Sequence, residues 1–164
     1  MTKQILGVLF SAGLIVLASC TREVMHEQAD VAAPITNAAP INLDAAVAEA
    51  GAGHKLILMD FTGSDWCEPC MQLHKDVFSK PEFESYAQSN LVFLTVDFPV
   101  KYRLSPEASA TNDWLSEKFN VGGFPTLIVL DSHGKKIYQQ LGLGDESGPK
   151  DWIAMLDKLK AKAQ

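Results

Sequence analysis

Cysteine is scarce in this chain, three residues in 164, which excludes a small domain held together by a disulfide framework. A basic cluster is missing too. Lysine and arginine number 14 against 20 aspartates and glutamates, a formal charge of -6, and the basic residues nowhere gather among aromatics. The electrostatic footprint required for binding a phosphate backbone is therefore absent, and nucleic acid is not expected as a partner. No apolar run reaches the ~20 residues that a membrane-spanning helix needs. The longest, Ile5 to Ala18, is already broken by Gly7, Ser11 and Gly13. Nor does any segment repeat with a period of roughly 20 to 50 residues. What is present is ordinary in bulk: 47% hydrophobic and 21% charged residues suit a folded chain, and the length suits one domain around one core.

Met1-Thr2-Lys3-Gln4, the apolar run and the small residues after it have the layout of a secretory signal peptide. Leu17-Ala18-Ser19-Cys20 resembles the lipobox of bacterial lipoproteins, and the resemblance implies a lipidated Cys20 at the mature N-terminus. An ordinary signal with an incidental cysteine is the alternative. Several acyl chains on one residue hold a membrane better than a single myristoyl group does. Thr21 stands where an aspartate would imply inner-membrane retention, so the resemblance favours the outer membrane. Loss of residues 1–19 removes Lys3 and leaves the remainder more acidic. From Thr21 to Pro40 the chain is rich in Ala, Pro, Thr and Asn without a sustained apolar period, and reads as a flexible tether. The expected organisation is a signal peptide over 1–19, a lipidated cysteine and tether over 20–40, and a folded domain over 41–164.

In that domain Asn42 is a suitable N-cap for a helix carrying Leu43, Ala46, Val47 and Ala50, stopped by Gly51 and Gly53. Leu56 to Phe61 is an almost continuous apolar run, as in a strand buried on both faces. The spacing of Met71, His74, Val77 and Phe78 predicts a helix from about Cys67 to Ser79, with Pro69 tolerable in its first turn. Ser79-Lys80-Pro81-Glu82 has capping-box spacing and predicts a brief helical turn through Phe83 and Tyr86. A strand over Leu91 to Phe98, a polar connection over Pro99 to Ala110 and a helix with Trp114, Leu115 and Phe119 follow. Leu127 to Asp131 and Lys136 to Leu141 read as a hairpin around Ser132-His133-Gly134-Lys135. Pro149 opens a last helix with Trp152, Ile153, Leu156 and Leu159 inward and Lys158, Lys160 and Lys162 near its negative end. The order α, β, α, β, α, β, β, α predicts an α/β domain with a mixed central sheet and helices on both faces.

The chemistry is concentrated at Trp66-Cys67-Glu68-Pro69-Cys70. Two cysteines three positions apart in a first helical turn share a face and can close a disulfide. Cys67 falls where unpaired N–H groups and the positive end of the helix dipole favour a thiolate, so it is the expected nucleophile. Cys70, one turn inside, is placed to attack a mixed disulfide and release the bound partner.

This motif after an apolar strand, Gly123-Phe124-Pro125-Thr126 before another strand, and the element order together resemble the thioredoxin superfamily over about Ile41 to Gln164. Phe61 to Cys67 is more similar to secreted bacterial thioredoxin-like proteins, and to the C-terminal domain of the membrane thiol-disulfide interchange protein, than to cytosolic thioredoxin. The resemblance implies a thioredoxin-like fold and thiol-disulfide exchange with no cofactor. It further implies a cis Pro125 that presents Phe124 backbone groups to an extended client, and Asp60 as proton acceptor for Cys70. The loop from Asp60 to Cys67 is one residue longer than in thioredoxin. Trp66 is expected to shield the disulfide and to offer a flat apolar contact. The implied partners are protein or peptide disulfides and dithiols, a membrane electron donor and, through the anchor, the membrane itself; a monomer is expected.

Two alternatives stay open at this point. One is a metal module in which Cys67, Cys70 and His74 bind zinc with closure by His54 or His133, or a copper carrier, although Met59 and Met71 read as core residues. The other is a thioredoxin-fold protein that grips extended peptides with little turnover. Asp65 and Glu68 oppose negative charge on Cys67, which makes the reduced form less stable and favours a reductase over an oxidant.

Overall fold

The structure, a computed structural model, describes residues 35–36, 39–145 and 148–163. Cys20, the signal segment and most of the tether lie outside the described residues. Among the described residues six strands and five α-helices follow in the order β1 (Ile35–Thr36), α1 (Leu43–Gly53), β2 (Leu56–Thr62), α2 (Glu68–Leu73), α3 (Pro81–Asn90), β3 (Leu91–Asp97), β4 (Arg103–Leu104), α4 (Pro106–Phe119), β5 (Thr126–Leu130), β6 (Lys136–Leu141) and α5 (Pro149–Ala163). A single π-helical turn, His74–Phe78, continues α2.

Four strands form the main sheet in the order β3-β2-β5-β6. β2 pairs parallel with β3 and antiparallel with β5, and β5 pairs antiparallel with β6, so the sheet is mixed as its sequence implies. β2 is buried along its whole length. Side chains alternate across a strand, and here the alternation sorts the core into two layers. Ile57, Met59, Phe61, Val96, Ile128 and Leu130 face α1 and α4, whose Ala46, Ala50, Leu115 and Phe119 cover them. Leu56, Leu58, Leu91, Leu127 and Val129 face the other way, against Leu73, Val77 and Phe78, Phe83 of α3, and Trp152 and Leu156 of α5. The aromatic centre of this second layer is Phe78, whose ring lies 5.0 Å from Phe83, 5.1 Å from Phe93 and 6.4 Å from Trp152.

The hairpin turn needs Gly134, at φ +80, and a Cβ there would meet Val47 at 2.9 Å. The register between β5 and β6 shifts at Val129/Leu130. Among the described residues no helix is long and apolar enough to cross a membrane.

Several local expectations are corrected. Part of the tether is not featureless, since β1 pairs in parallel with β4. The connection after β3 is shorter than Pro99 to Ala110, because Ser105 caps α4 by accepting from the Ala108 N–H and Pro106 occupies its first turn. The segment from Cys67 to Ser79 is not one α-helix. Its last turn widens so that the Ser79 N–H reaches the His74 carbonyl, five residues back, at 2.8 Å. The Ser79 hydroxyl donates to that same carbonyl and so does not form a capping box. Lys80 is the N-cap of α3, without a side-chain cap, and Pro81 starts the helix. Met71 is exposed rather than core, whereas Met59 is fully buried.

Candidate active site

The site grows out of the strand alternation. The face of β2 that carries Leu56 and Leu58 continues with Asp60 and Thr62. The matching face of β3 continues from Leu91 and Phe93 to Thr95 and Asp97, in register opposite Asp60 and Thr62. An apolar layer thus turns polar at the carboxyl ends of two neighbouring strands, where α/β proteins place their chemistry.

α2 begins over this polar end. Cys67 is its N-cap, in extended conformation, with its sulfur 3.4 Å from the Cys70 N–H and its N–H bonded to the Gly63 carbonyl at 2.9 Å. Pro69 falls in the first turn, where a missing N–H costs nothing. Cys67 and Cys70 are joined in a disulfide with their Cα atoms 5.3 Å apart, and both residues are buried. The helix start thus holds one sulfur at its positive end and the other a turn deeper.

Two loops flank the pair and are tied together by carboxylates. Asp97 accepts from the Ser64 N–H at 2.9 Å, the Ser64 hydroxyl at 2.6 Å and the Tyr102 hydroxyl. Asp65 accepts from the Val100 and Lys101 N–H groups at 3.0 and 2.6 Å. Desolvation is the largest single influence on Asp65 and raises its pKa, but the backbone bonds and the Lys101 charge together outweigh it and hold the carboxyl below its ordinary range. Trp66 is 46% exposed, yet its indole N–H donates to the Phe98 carbonyl at 2.7 Å. Gly63 makes this possible, since a Cβ there would lie 2.4 Å from the Trp66 ring.

The Phe124–Pro125 peptide is cis, as the resemblance implies. Its segment is brought to the disulfide side by Phe124, which meets Trp66 edge-on at 5.9 Å and stacks on Phe98 at 5.0 Å. The Pro125 carbonyl accepts from the Gly142 N–H.

Beneath Cys70 lies a cavity of about 290 Å³ lined by Asp60, Thr62, Ser64, Cys70, Met71, His74 and Thr95. Asp60 is buried there and its Oδ1 has no hydrogen-bond partner among the described residues. Burial first, and the neighbouring Asp97 charge second, push its pKa up to about 7. Every sequence-predicted site residue within the described region, Asp60, Trp66, Cys67, Cys70, Phe124 and Pro125, therefore lies at one end of the sheet. The residues proposed for a metal are not assembled. Among the described residues no group of three or more His, Cys, Asp or Glu could hold an ion; His54 caps α1 and His133 sits in the hairpin turn. The sequence reading missed Ser64, Asp97 and Tyr102. The signal was available for Asp97, which occupies an inward position of an alternating strand where Leu91 and Phe93 are apolar.

The architecture and the paired cysteines define a thioredoxin-fold protein with a dithiol site. The family model for the thioredoxin-like domain matches residues 43–160, and the chain belongs to that family. It is 37% identical over 84 residues to the disulfide bond reductase DsbH of Chlamydia pneumoniae, covering 51% of each chain. Over 105 residues it is 32% identical to the thiol:disulfide interchange protein DsbD of Haemophilus influenzae, covering 63% of this chain and 17% of that one. The chain thus spans about half the length of the first relative and a small part of the second. A solved structure of a DsbH oxidoreductase superposes with a TM-score of 0.66 at 27% identity, covering 79% of this chain and 88% of that one.

Asp60 makes stability depend on pH. An unfolded aspartate releases its proton near 3.8, whereas folded Asp60 keeps it to about 7. The folded state binds the extra proton between these values, so the Asp60 contribution to stability falls as pH rises through that window, by up to about 1.4 kcal/mol per pH unit. Urea unfolding of the oxidised protein should show Asp60→Asn gaining on the wild type between pH 5 and pH 8. Parallel pH dependences would mean that Asp60 ionises as freely as an exposed carboxylate.

Proposed function

We propose that the protein is a thiol-disulfide oxidoreductase that works as a reductase of extracytoplasmic protein disulfides. The observation that carries this is the placement of Cys67 at the start of α2, bonded to a deeper Cys70 that shares a cavity with the high-pKa Asp60. In the reduced protein the Cys67 thiolate attacks a client disulfide, and one client sulfur leaves with the electron pair. Cys70 then gives its proton to Asp60 and attacks Cys67. The mixed disulfide breaks, the Cys67–Cys70 bond forms, and the client departs as a dithiol, two electrons richer. A dithiol donor in the membrane restores the starting state. Trp66 and Phe124 contact the client, and the Phe124–Pro125 segment presents its backbone to an extended peptide. The names of the relatives, a disulfide bond reductase and a thiol:disulfide interchange protein, agree with this assignment.

Cys70→Ser should leave clients trapped on Cys67 as mixed disulfides resolvable on a non-reducing gel, and Cys67→Ser should trap none. Equal trapping by the two variants would overturn the assignment of roles.

The direction of electron flow is set by charge around Cys67. Asp65 is kept ionised by its backbone bonds, and Glu68 begins α2, so two carboxylates oppose a thiolate beside them. Equilibration with glutathione should give a potential below about −180 mV, the disulfide-isomerase value. A higher potential would make the protein an oxidant or isomerase.

The protein acts from a membrane surface through lipid on Cys20, on the periplasmic side with the outer membrane favoured. Cys20→Ala should remove the acyl mass and detergent partitioning of the mature protein; a lipid mass retained in the variant would defeat the anchor.

A further inference from the structure

His74 has no part in the exchange just described, although it lines the same cavity as Asp60 and Cys70. Those two are buried and His74 is exposed, so the cavity they share meets solvent at His74, as it does at Ser64, Met71 and Thr95. Its ring is nevertheless held. The Ser79 hydroxyl oxygen is 2.7 Å from the His74 carbonyl oxygen and 3.0 Å from its Nδ1. A carbonyl only accepts, so the single hydroxyl hydrogen of Ser79 goes there, and the oxygen meets Nδ1 as an acceptor. Nδ1 therefore carries a hydrogen, and Nε2 is the ring nitrogen left open. The π-helical turn makes this arrangement, because the widened turn brings residue 79 back to residue 74.

Asp60 needs such a neighbour. Its Oδ1 has no partner among the described residues, and each proton it takes from Cys70 has to leave before the next cycle. Thr62, Ser64 and Thr95 line the cavity beside Asp60, its walls are otherwise mostly apolar, and a volume of about 290 Å³ has room for several water molecules. The other ionisable groups around His74 do not compete for this task. Asp97 on β3 is engaged by Ser64 and Tyr102. Lys75 and Asp76 on the same turn and Glu82 and Glu84 on α3 are exposed, Lys80 is half-buried, and none of them lines the cavity. From α5 this layer receives the apolar Trp152 and Leu156, while Asp157 is taken by the Tyr86 hydroxyl.

We propose that His74 is a relay residue that carries protons between Asp60 and solvent whenever Cys70 passes between thiol and disulfide. This rests on the oxidoreductase assignment above. In the resolving step Cys70 gives its proton to the Asp60 carboxylate and forms the bond to Cys67. The client thiolate leaves with the electron pair and takes a proton from solvent. The proton on Asp60 passes through cavity water to His74 Nε2 and then to bulk water, which balances the one taken up by the client. Reduction of the disulfide by a dithiol donor runs the relay inward and returns a proton to Cys70.

The test is single-turnover oxidation of the reduced full-length protein, in detergent, by insulin disulfides. His74→Ala and His74→Gln should both slow the reaction on the order of tenfold, less than the 10²–10⁴-fold of a base that meets the reacting group itself. Free imidazole should restore most of the rate in His74→Ala, and the equilibrium constant with glutathione should stay within about twofold of wild type, since a relay changes rates and not end states. An unchanged rate in His74→Ala, full activity in His74→Gln, or a loss that imidazole does not rescue would each overturn the relay. A wild-type protein unable to reduce insulin would instead remove the oxidoreductase assignment on which the relay rests.

Discussion

The central constraint is that β2 is buried on both faces and yet carries a carboxylate. Ionised and unpaired, a group in that position costs several kcal/mol, so Asp60 remains protonated to about 7 and behaves as a poised acid rather than a charge. Dryness on both faces requires helices on both faces, which is why α1 and α4 lie on one side and α2, α3 and α5 on the other. The carboxylate is tolerated because the layer above it becomes polar where the strands end, and α2 starts over that polar end. Fold and chemistry thus meet in one strand, and Cys70 lines the same cavity as its carboxylate.

Around the sulfurs, rigidity comes from acceptors rather than from regular structure. Asp97 and Asp65 each accept several hydrogen bonds from the facing loop, and Trp66 is fixed at its N–H end while its ring stays exposed. Side chains locked in this way keep a site in its working geometry without further adjustment on binding. Trp66, Val100 and Leu141 are exposed apolar residues in the loops and strand end that surround the disulfide.

Much of this was legible in the sequence because it is written in short-range patterns. The unbroken run Leu56 to Phe61 announces a two-sided strand, Asn42 announces a cap, and Cys67 with Cys70 around Pro69 announces a helix start with two sulfurs on one face. Ser79 misled for a physical reason. Its hydroxyl can serve a following helix or a preceding carbonyl, and only the three-dimensional path of the chain decides between them. Met71 misled because a flexible apolar side chain at a helical spacing fits a core or an exposed rim equally well. The pairing of β1 with β4 could not be read at all, since two residues of backbone ladder leave no hydropathy signature. The cavity was hidden for a related reason: it is assembled from β2, β3, α2 and the following turn, segments up to 35 residues apart in the chain, as Asp60 and Thr95 show by facing each other in register.

The far side of the sheet has its own consequence. β6 ends the ladder, and its outer edge presents backbone groups that another chain could pair with. Its sequence, Lys136-Ile137-Tyr138-Gln139-Gln140-Leu141, is short, carries two glutamines and begins with a lysine, and the register shift at Val129/Leu130 twists the edge where it would otherwise run flat. Such an edge discourages strand addition. For a molecule held at a membrane through Cys20, as proposed above, that would be colloidal protection: neighbours could crowd together without knitting their sheets into one.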